Sequence, residues 1–195
     1  KTLRKFNSRL QGHPHREYLP GVETSSGPLG SGLSQAVGMA LADRLDQGKK
    51  FFYCLLSDGE HDEGNTHEAM LFAPREKLGN LIAIIDRNYI QIDGNTEDIL
   101  PLDPLDKKYE SFNWHVQTVD GHDIEALVSA IDAAKKETEK PSVIIARTIP
   151  GKGVSFMENR YEWHGIPPGI SDVAGAPEKE LQTQAALDEL RAITL

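Results

Sequence analysis

Asp58 and Asn88 are the two positions at which this sequence first suggests chemistry. Each follows a short apolar run. Residues 51–56 (FFYCLL) end at Ser57-Asp58-Gly59, and residues 81–85 (LIAII) end at Asp86-Arg87-Asn88, which puts Asn88 thirty positions after Asp58. One carboxylate, one amide oxygen and nearby backbone carbonyls make an all-oxygen donor set. Such a set suits a hard cation such as Mg²⁺, which keeps its other positions for phosphate oxygens and water. The chemistry implied is the anchoring of a diphosphate through a metal ion. Plainer uses of the same letters exist. The acidic run Asp58, Glu60, Asp62, Glu63 also suits a solvated helix N-terminus, where the macrodipole favours carboxylates, and Gly59 and Asn88 also suit turns. An EF-hand calcium loop is excluded, because the glycine it needs at its sixth position would fall on Glu63.

The elements around these residues bring them together. A polar, helix-compatible stretch separates the two apolar runs, so strand, helix, strand is the natural reading, and the unit is a parallel crossover. Both strand ends then face one edge of the sheet, where ligands bind in open α/β folds. Upstream, the glycine-rich residues 24–32 (TSSGPLGSG) open onto a helix in which Leu33, Ala36, Val37, Ala40 and Leu41 recur at helical spacing, ending near Gly48. A glycine-rich loop before a helix is a weak phosphate signal, and without a following Lys-Ser/Thr pair it is not a nucleotide P-loop. Downstream, residues 95–106 read as a turn-rich loop, 114–119 as a strand, 124–136 as an amphipathic helix, 143–146 as a buried strand and 178–192 as a closing helix. Asp120-Gly121-His122-Asp123 reads as a turn into a helix cap with no chemistry of its own. The long irregular segment 150–168 holds His164, and such segments in compact domains are often functional. The expected fold class is α/β: one doubly wound, mostly parallel sheet with helices on both faces, forming a single domain over residues 1–195.

Charge and composition narrow the function classes. A net charge of −9 argues against nucleic acid and anionic membranes as partners. No apolar stretch approaches membrane-spanning length and no signal peptide is visible, so the expectation is a cytoplasmic protein. The single cysteine, Cys54, cannot form an intrachain disulfide, and within an apolar run it reads as a buried hydrophobe rather than a nucleophile. The chain begins Lys-Thr-Leu-Arg-Lys without an initiator methionine.

Four ordered motifs resemble those of transketolases. SDGEHDEGNTHEA followed by NLIAIIDRNYIQIDG is similar to the thiamine diphosphate signature in its transketolase version, which opens with Gly-Asp-Gly and closes about thirty residues later at an Asn. GHPHREYLPGVETSSGPLGSGLSQAVGMALA (residues 12–42) resembles the segment that precedes the signature, and WHGIPP (residues 163–168) resembles the distal histidine loop. Ser57 departs from the usual first glycine of the signature. The similarity runs from Gly12 to about Pro168. It implies a thiamine diphosphate-binding fold whose beginning is absent from this sequence.

The resemblance also assigns expected roles. Asp58, Asn88 and the Ile90 carbonyl would hold Mg²⁺ or Ca²⁺, and Gly59 would let the backbone approach the diphosphate. Gly27, Pro28 and Leu29 would pack on the aminopyrimidine end of the cofactor, and Ile92 on the thiazolium ring. His13 would contact the sugar donor, and His164 the diphosphate and substrate. Glu63 would face the partner subunit in an acidic relay between active sites. His15 has no such support, and Glu68 reads nearly as well as a simple solvated acid. The implied activity is transfer of a two-carbon ketol unit from a ketose phosphate to an aldose phosphate. The cofactor carries the hard chemistry, while the glutamate that activates its aminopyrimidine lies in a second domain with no likeness here. The expectation is therefore the diphosphate-binding component of a split transketolase, inactive without a pyrimidine-binding component and assembled as α2β2. Other thiamine diphosphate enzymes (deoxyxylulose phosphate synthase, a 2-oxo acid dehydrogenase alpha subunit) and a non-catalytic scaffold are the alternatives. Together, the Gly-His-Pro, Gly-Pro-Leu-Gly and Trp-His-Gly segments favour transketolase.

Overall fold

The computed structural model describes residues 2–193. Helix α1 (Ser31–Leu45) leads into strand β1 (Phe52–Ser57), helix α2 (Gly64–Arg75) and strand β2 (Leu81–Arg87). A small hairpin of β3 (Ile90–Gln91) and β4 (Gly94–Asn95) follows, then short helices α3 (Thr96–Ile99) and α4 (Leu105–Ser111). Strand β5 (His115–Asp120), helix α5 (Ile124–Ala134), strand β6 (Ser142–Arg147) and helix α6 (Lys179–Ala192) complete the regular elements.

The four longer strands form one parallel sheet in the order β1-β2-β6-β5. The chain steps outward from β1 to β2 through α2 but returns from β5 to β6 through α5. Parallel crossovers keep one hand, so these opposite steps place α2 and α5 on opposite faces, and the sheet is doubly wound as expected. Strand alternation fills both layers. Cys54, Leu56, Ala83, Ile85, Val143 and Ile145 point to the α1, α2 and α4 side. Ile82 and Ile144 point to Ala130 and Ala134 of α5. Burying each such branched side chain contributes roughly 1.5–3 kcal/mol. Cys54 is buried in the first layer, as its apolar context suggests. Asp123 caps α5 by accepting from the Ala126 amide at 3.0 Å.

The segment 95–106 departs from the expected loop. It contains α3 and the start of α4: Leu102 is buried, and Leu105 and Tyr109 join the core on the sheet. Residues 150–168 are irregular, as expected, apart from a 3₁₀ turn at Tyr161–Trp163, and the irregular stretch continues to residue 177. They pack on α6 through a small second core of Val154, Phe156, Trp163 and Ala186. Buried Gln182 of α6 accepts from the Gly169 amide at 2.9 Å and donates to the Ser171 carbonyl at 3.1 Å. Among the described residues no helix is long and apolar enough to cross a membrane.

Candidate functional site

Register decides what meets at the carboxyl edge of the sheet. Ser57 is paired with Asp86, so the next residue, Asp58, comes level with Arg87 rather than Asn88. Asp58 has no exposed surface. Its Oδ1 accepts from the Gly59 amide at 2.8 Å. Its Oδ2 accepts from the Tyr89 amide at 2.7 Å and from Arg87 Nη1 at 3.1 Å. Tyr89 reaches back because it adopts a left-handed conformation (φ 65°), which reverses the chain directly after Asn88. Burial pushes the Asp58 carboxyl above the usual carboxylate range, against the pull of the Tyr89 amide, the Arg87 guanidinium and the Gly59 amide.

Asn88 is locked by its neighbours. Its Oδ1 accepts from the Ile90 amide at 3.0 Å, and its Nδ2 donates to Asp86 Oδ2 at 3.0 Å. The other Asp86 oxygen accepts from the Thr148 hydroxyl just past the end of β6. The ends of three strands therefore fix one amide. Beyond it, Ile90 and Ile92 run along the wall of a cleft of about 320 Å³. Leu29, Gly59, Glu63, Asn88 and His164 line the same cleft. Seven residues singled out from the sequence thus share one space, although they are spread over more than 130 positions.

The remaining expected residues sit around it. His13 and His164 share an adjoining hollow with Ile92. Gly27 packs directly on the imidazole of His13, where a Cβ would come within 2.7 Å of the ring. Pro28 lies between Gly27 and Leu29 without lining the cleft, and Asp58 lies behind its wall. Glu63 is exposed at the N-terminus of α2 and faces the cleft, whereas exposed Glu68 does not. His15 stacks on Tyr18 at 4.6 Å, away from the cleft.

Three supports were not anticipated. Glu60 is buried rather than solvated. It accepts from the Gly30 amide at 3.0 Å and the Ser57 amide at 3.2 Å, tying the glycine-rich loop to the end of β1. The Ser57 hydroxyl accepts from the Glu60 amide at 3.3 Å, which gives the serine at this position a capping role. His61 is buried beneath the motif. Its Nδ1 lies 2.9 Å from the Asp58 carbonyl and 3.1 Å from that of Ser57, and its Nε2 lies 2.8 Å from the Tyr109 hydroxyl. Carbonyls only accept, so Nδ1 carries the proton and Nε2 accepts from Tyr109. Burial lowers the His61 pKa to about 4, so the ring is neutral near pH 7. Arg87 is the third support. Its spacing from the first apolar residue of β2 is even, like that of Ala83 and Ile85, so strand alternation could have placed it on the Asp58 face.

The donor chemistry fits a cation-bound diphosphate. Asp58, Asn88 and the Ile90 backbone offer only hard oxygen donors, and Asp58 keeps one acceptor position beyond its three hydrogen bonds. Among the described residues no cluster of three or more His, Cys, Asp or Glu could hold a metal unaided, so further ligands would have to come from phosphate and water. Gly59 keeps the wall shallow, since a Cβ there would sit 3.1 Å from Gln91 Oε1. Leu29 and Ile92 are 58% and 73% exposed, which leaves apolar surface for a ring to cover.

Comparison with known proteins identifies the family. Residues 1–184 match the family described as transketolase, thiamine diphosphate binding domain. A 6-deoxy-6-sulfo-D-fructose transketolase subunit from Clostridium sp. (strain MSTE9) is 44% identical over 85% of this chain and 60% of its own length. An apulose-4-phosphate transketolase subunit from Actinobacillus succinogenes is 44% identical over 91% of this chain and 64% of its own. The chain thus spans about three fifths of these curated relatives. Among solved structures, the transketolase of Campylobacter jejuni superposes with a TM-score of 0.78 at 36% identity, covering 83% of this chain and 26% of that one. A Pichia stipitis transketolase in complex with sedoheptulose-7-phosphate gives a TM-score of 0.77 at 35% identity, covering 82% and 25%. On sequence and fold together, the chain belongs to the transketolase thiamine diphosphate-binding domain family.

Proposed function

We propose that this chain supplies the diphosphate-binding half of a transketolase that moves a two-carbon ketol unit from a ketose phosphate to an aldose phosphate. The observation that carries the reading is the single cleft shared by Leu29, Gly59, Glu63, Asn88, Ile90, Ile92 and His164. Asp58, Asn88 and the Ile90 carbonyl hold a divalent cation, Mg²⁺ or Ca²⁺, and through it the diphosphate. Gly27, Pro28 and Leu29 lie toward the aminopyrimidine, and Ile92 toward the thiazolium. When bound, thiamine diphosphate supplies the nucleophilic carbon and the electron sink for breaking a carbon–carbon bond beside a ketone. The protein's own part is to bind and orient. His13 and His164 hydrogen-bond the sugar and the diphosphate at the cleft mouth, and Glu63 faces a neighbouring subunit.

A second component carrying a pyrimidine-binding domain completes the site, in a cytoplasmic assembly of two copies of each. Support comes from two relatives at 44% identity that are named as transketolase subunits. The test is a ketol-transfer assay with thiamine diphosphate, Mg²⁺ and a ketose phosphate donor, run on each component alone and on both together. Turnover is expected only from the mixture. Full turnover by this chain alone would overturn the two-component reading.

A further inference from the structure

Arg87 is the largest fully buried side chain in the described residues, and nothing in the function proposed above requires it. Its side chain is 1% exposed. Nη1 donates to Asp58 at 3.1 Å and to Thr96 Oγ1 at 2.8 Å. Nη2 lies 2.5 Å from Glu97 and 3.1 Å from Asp103, and the Tyr89 ring covers the guanidinium at 4.0 Å. Glu97 is itself held by the Leu102 amide at 3.1 Å and the Asp103 amide at 3.3 Å. The guanidinium is therefore fixed from several sides and cannot swing away from Asp58.

This fixation has a consequence for the carboxylate. A carboxylate offers about four acceptor positions, two on each oxygen. The Tyr89 amide and Arg87 together take both positions on Asp58 Oδ2, and the Gly59 amide takes one on Oδ1. A single position, on Oδ1, is left. Of the two donors on Oδ2, one is backbone, and only Arg87 is a side chain that the sequence could have chosen otherwise.

We propose that Arg87 is a positioning residue that restricts Asp58 to one donor oxygen and thereby makes the site prefer Mg²⁺ to Ca²⁺. The proposal rests on the diphosphate-site reading. Mg²⁺ demands near-octahedral angles, which the narrow bite of one carboxylate cannot supply, so it takes carboxylates through one oxygen. Ca²⁺ tolerates more ligands and readily takes both oxygens of a carboxylate. With Oδ2 occupied, the two-oxygen mode is closed and the advantage passes to the smaller ion.

The experiment is calorimetric titration of Mg²⁺ and, separately, Ca²⁺ into the assembled enzyme with thiamine diphosphate present. It is run on the wild type, Arg87→Gln, Arg87→Lys and Glu97→Gln. Partners of metal ligands commonly change metal affinity by about tenfold or more. The Mg²⁺-to-Ca²⁺ affinity ratio is expected to fall by about that factor in Arg87→Gln. Arg87→Lys should largely restore it, because an ammonium can still occupy Oδ2. Removing one partner of a buried ion pair can unfold a domain. If Arg87→Gln does not fold, Glu97→Gln, which only loosens the guanidinium, should show a smaller shift in the same direction. An unchanged ratio in every folded variant, even with both affinities lowered, would make Arg87 merely structural and overturn the proposal. A wild-type enzyme that binds neither cation would instead refute the underlying diphosphate-site reading, and this inference with it.

Discussion

His13 and His164 carry the residue-scale case for function. Both are exposed, and among the described residues neither imidazole makes a hydrogen bond that the fold depends on. Both line the hollow beside the cleft. Replacing either with Ala should lower ketol transfer by about 10²-fold or more, the usual contribution of a positioned acid–base or hydrogen-bonding group. The melting temperature should stay within a degree or two. Early unfolding with normal specific activity would make them structural histidines. Cys54 is the opposite case, a residue with reactive chemistry that its surroundings suppress. Burial first, and then the charge of Glu60, push its thiol up to about 12. Only the thiolate reacts, so alkylation of the native chain should be negligible at pH 8 and should climb with pH far beyond the ordinary thiol range. One equivalent should react at once in denaturant, and fast native labelling at pH 8 would contradict the burial. The sequence revealed Asp58 and Asn88 through their places after two apolar runs. It hid their true partners, because the register that sets Ser57 against Asp86 is a property of the paired strands and not of either one.

At the scale of elements, the parallel core was legible because fully buried strands read as continuous apolar runs, as LIAII in β2 and VIIA in β6 do. The segment 95–106 was not, because its order comes from outside itself. Thr96 and Glu97 are fastened by Arg87, and α4 is pinned by Tyr109 beneath the signature motif. Local letters such as Asp-Pro and Asn-Thr favour turns, and tertiary contacts override them. The link from α4 to the site is the bond from the Tyr109 hydroxyl to His61, in a layer where Tyr109 also meets Trp114 edge-on at 5.3 Å. Tyr109→Phe would leave His61 Nε2 buried without a donor. That should cost about 1–3 kcal/mol, read as a lower denaturant midpoint at unchanged slope. No loss of stability would mean that the hydroxyl is dispensable to the motif. Glu60 belongs to the same scale. Its letter suggested a solvated helix start, yet the approach of the Gly30 amide across thirty residues makes it a clamp between loop and strand.

At the scale of the whole molecule, exposed apolar surface borders the cleft. Leu29 and Ile92 stand exposed beside it. On the outer face of β1, Tyr53 and Leu55 are 50% and 76% exposed, which leaves apolar surface that association would cover. The cleft wall depends on strand ends that hold Asp58 and Asn88 in place, so cofactor binding through them is the central test. The direct measurement is isothermal titration of thiamine diphosphate into the assembled enzyme with Mg²⁺ present, comparing the wild type with Asp58→Ala. Arg87 loses its buried counterion in the variant, so circular dichroism should first establish that the variant is folded. Saturable, Mg²⁺-dependent binding is expected of the wild type and none of the folded Asp58→Ala enzyme. Equal affinity in both, or wild-type binding indifferent to Mg²⁺, would rule out anchoring of the cofactor through Asp58.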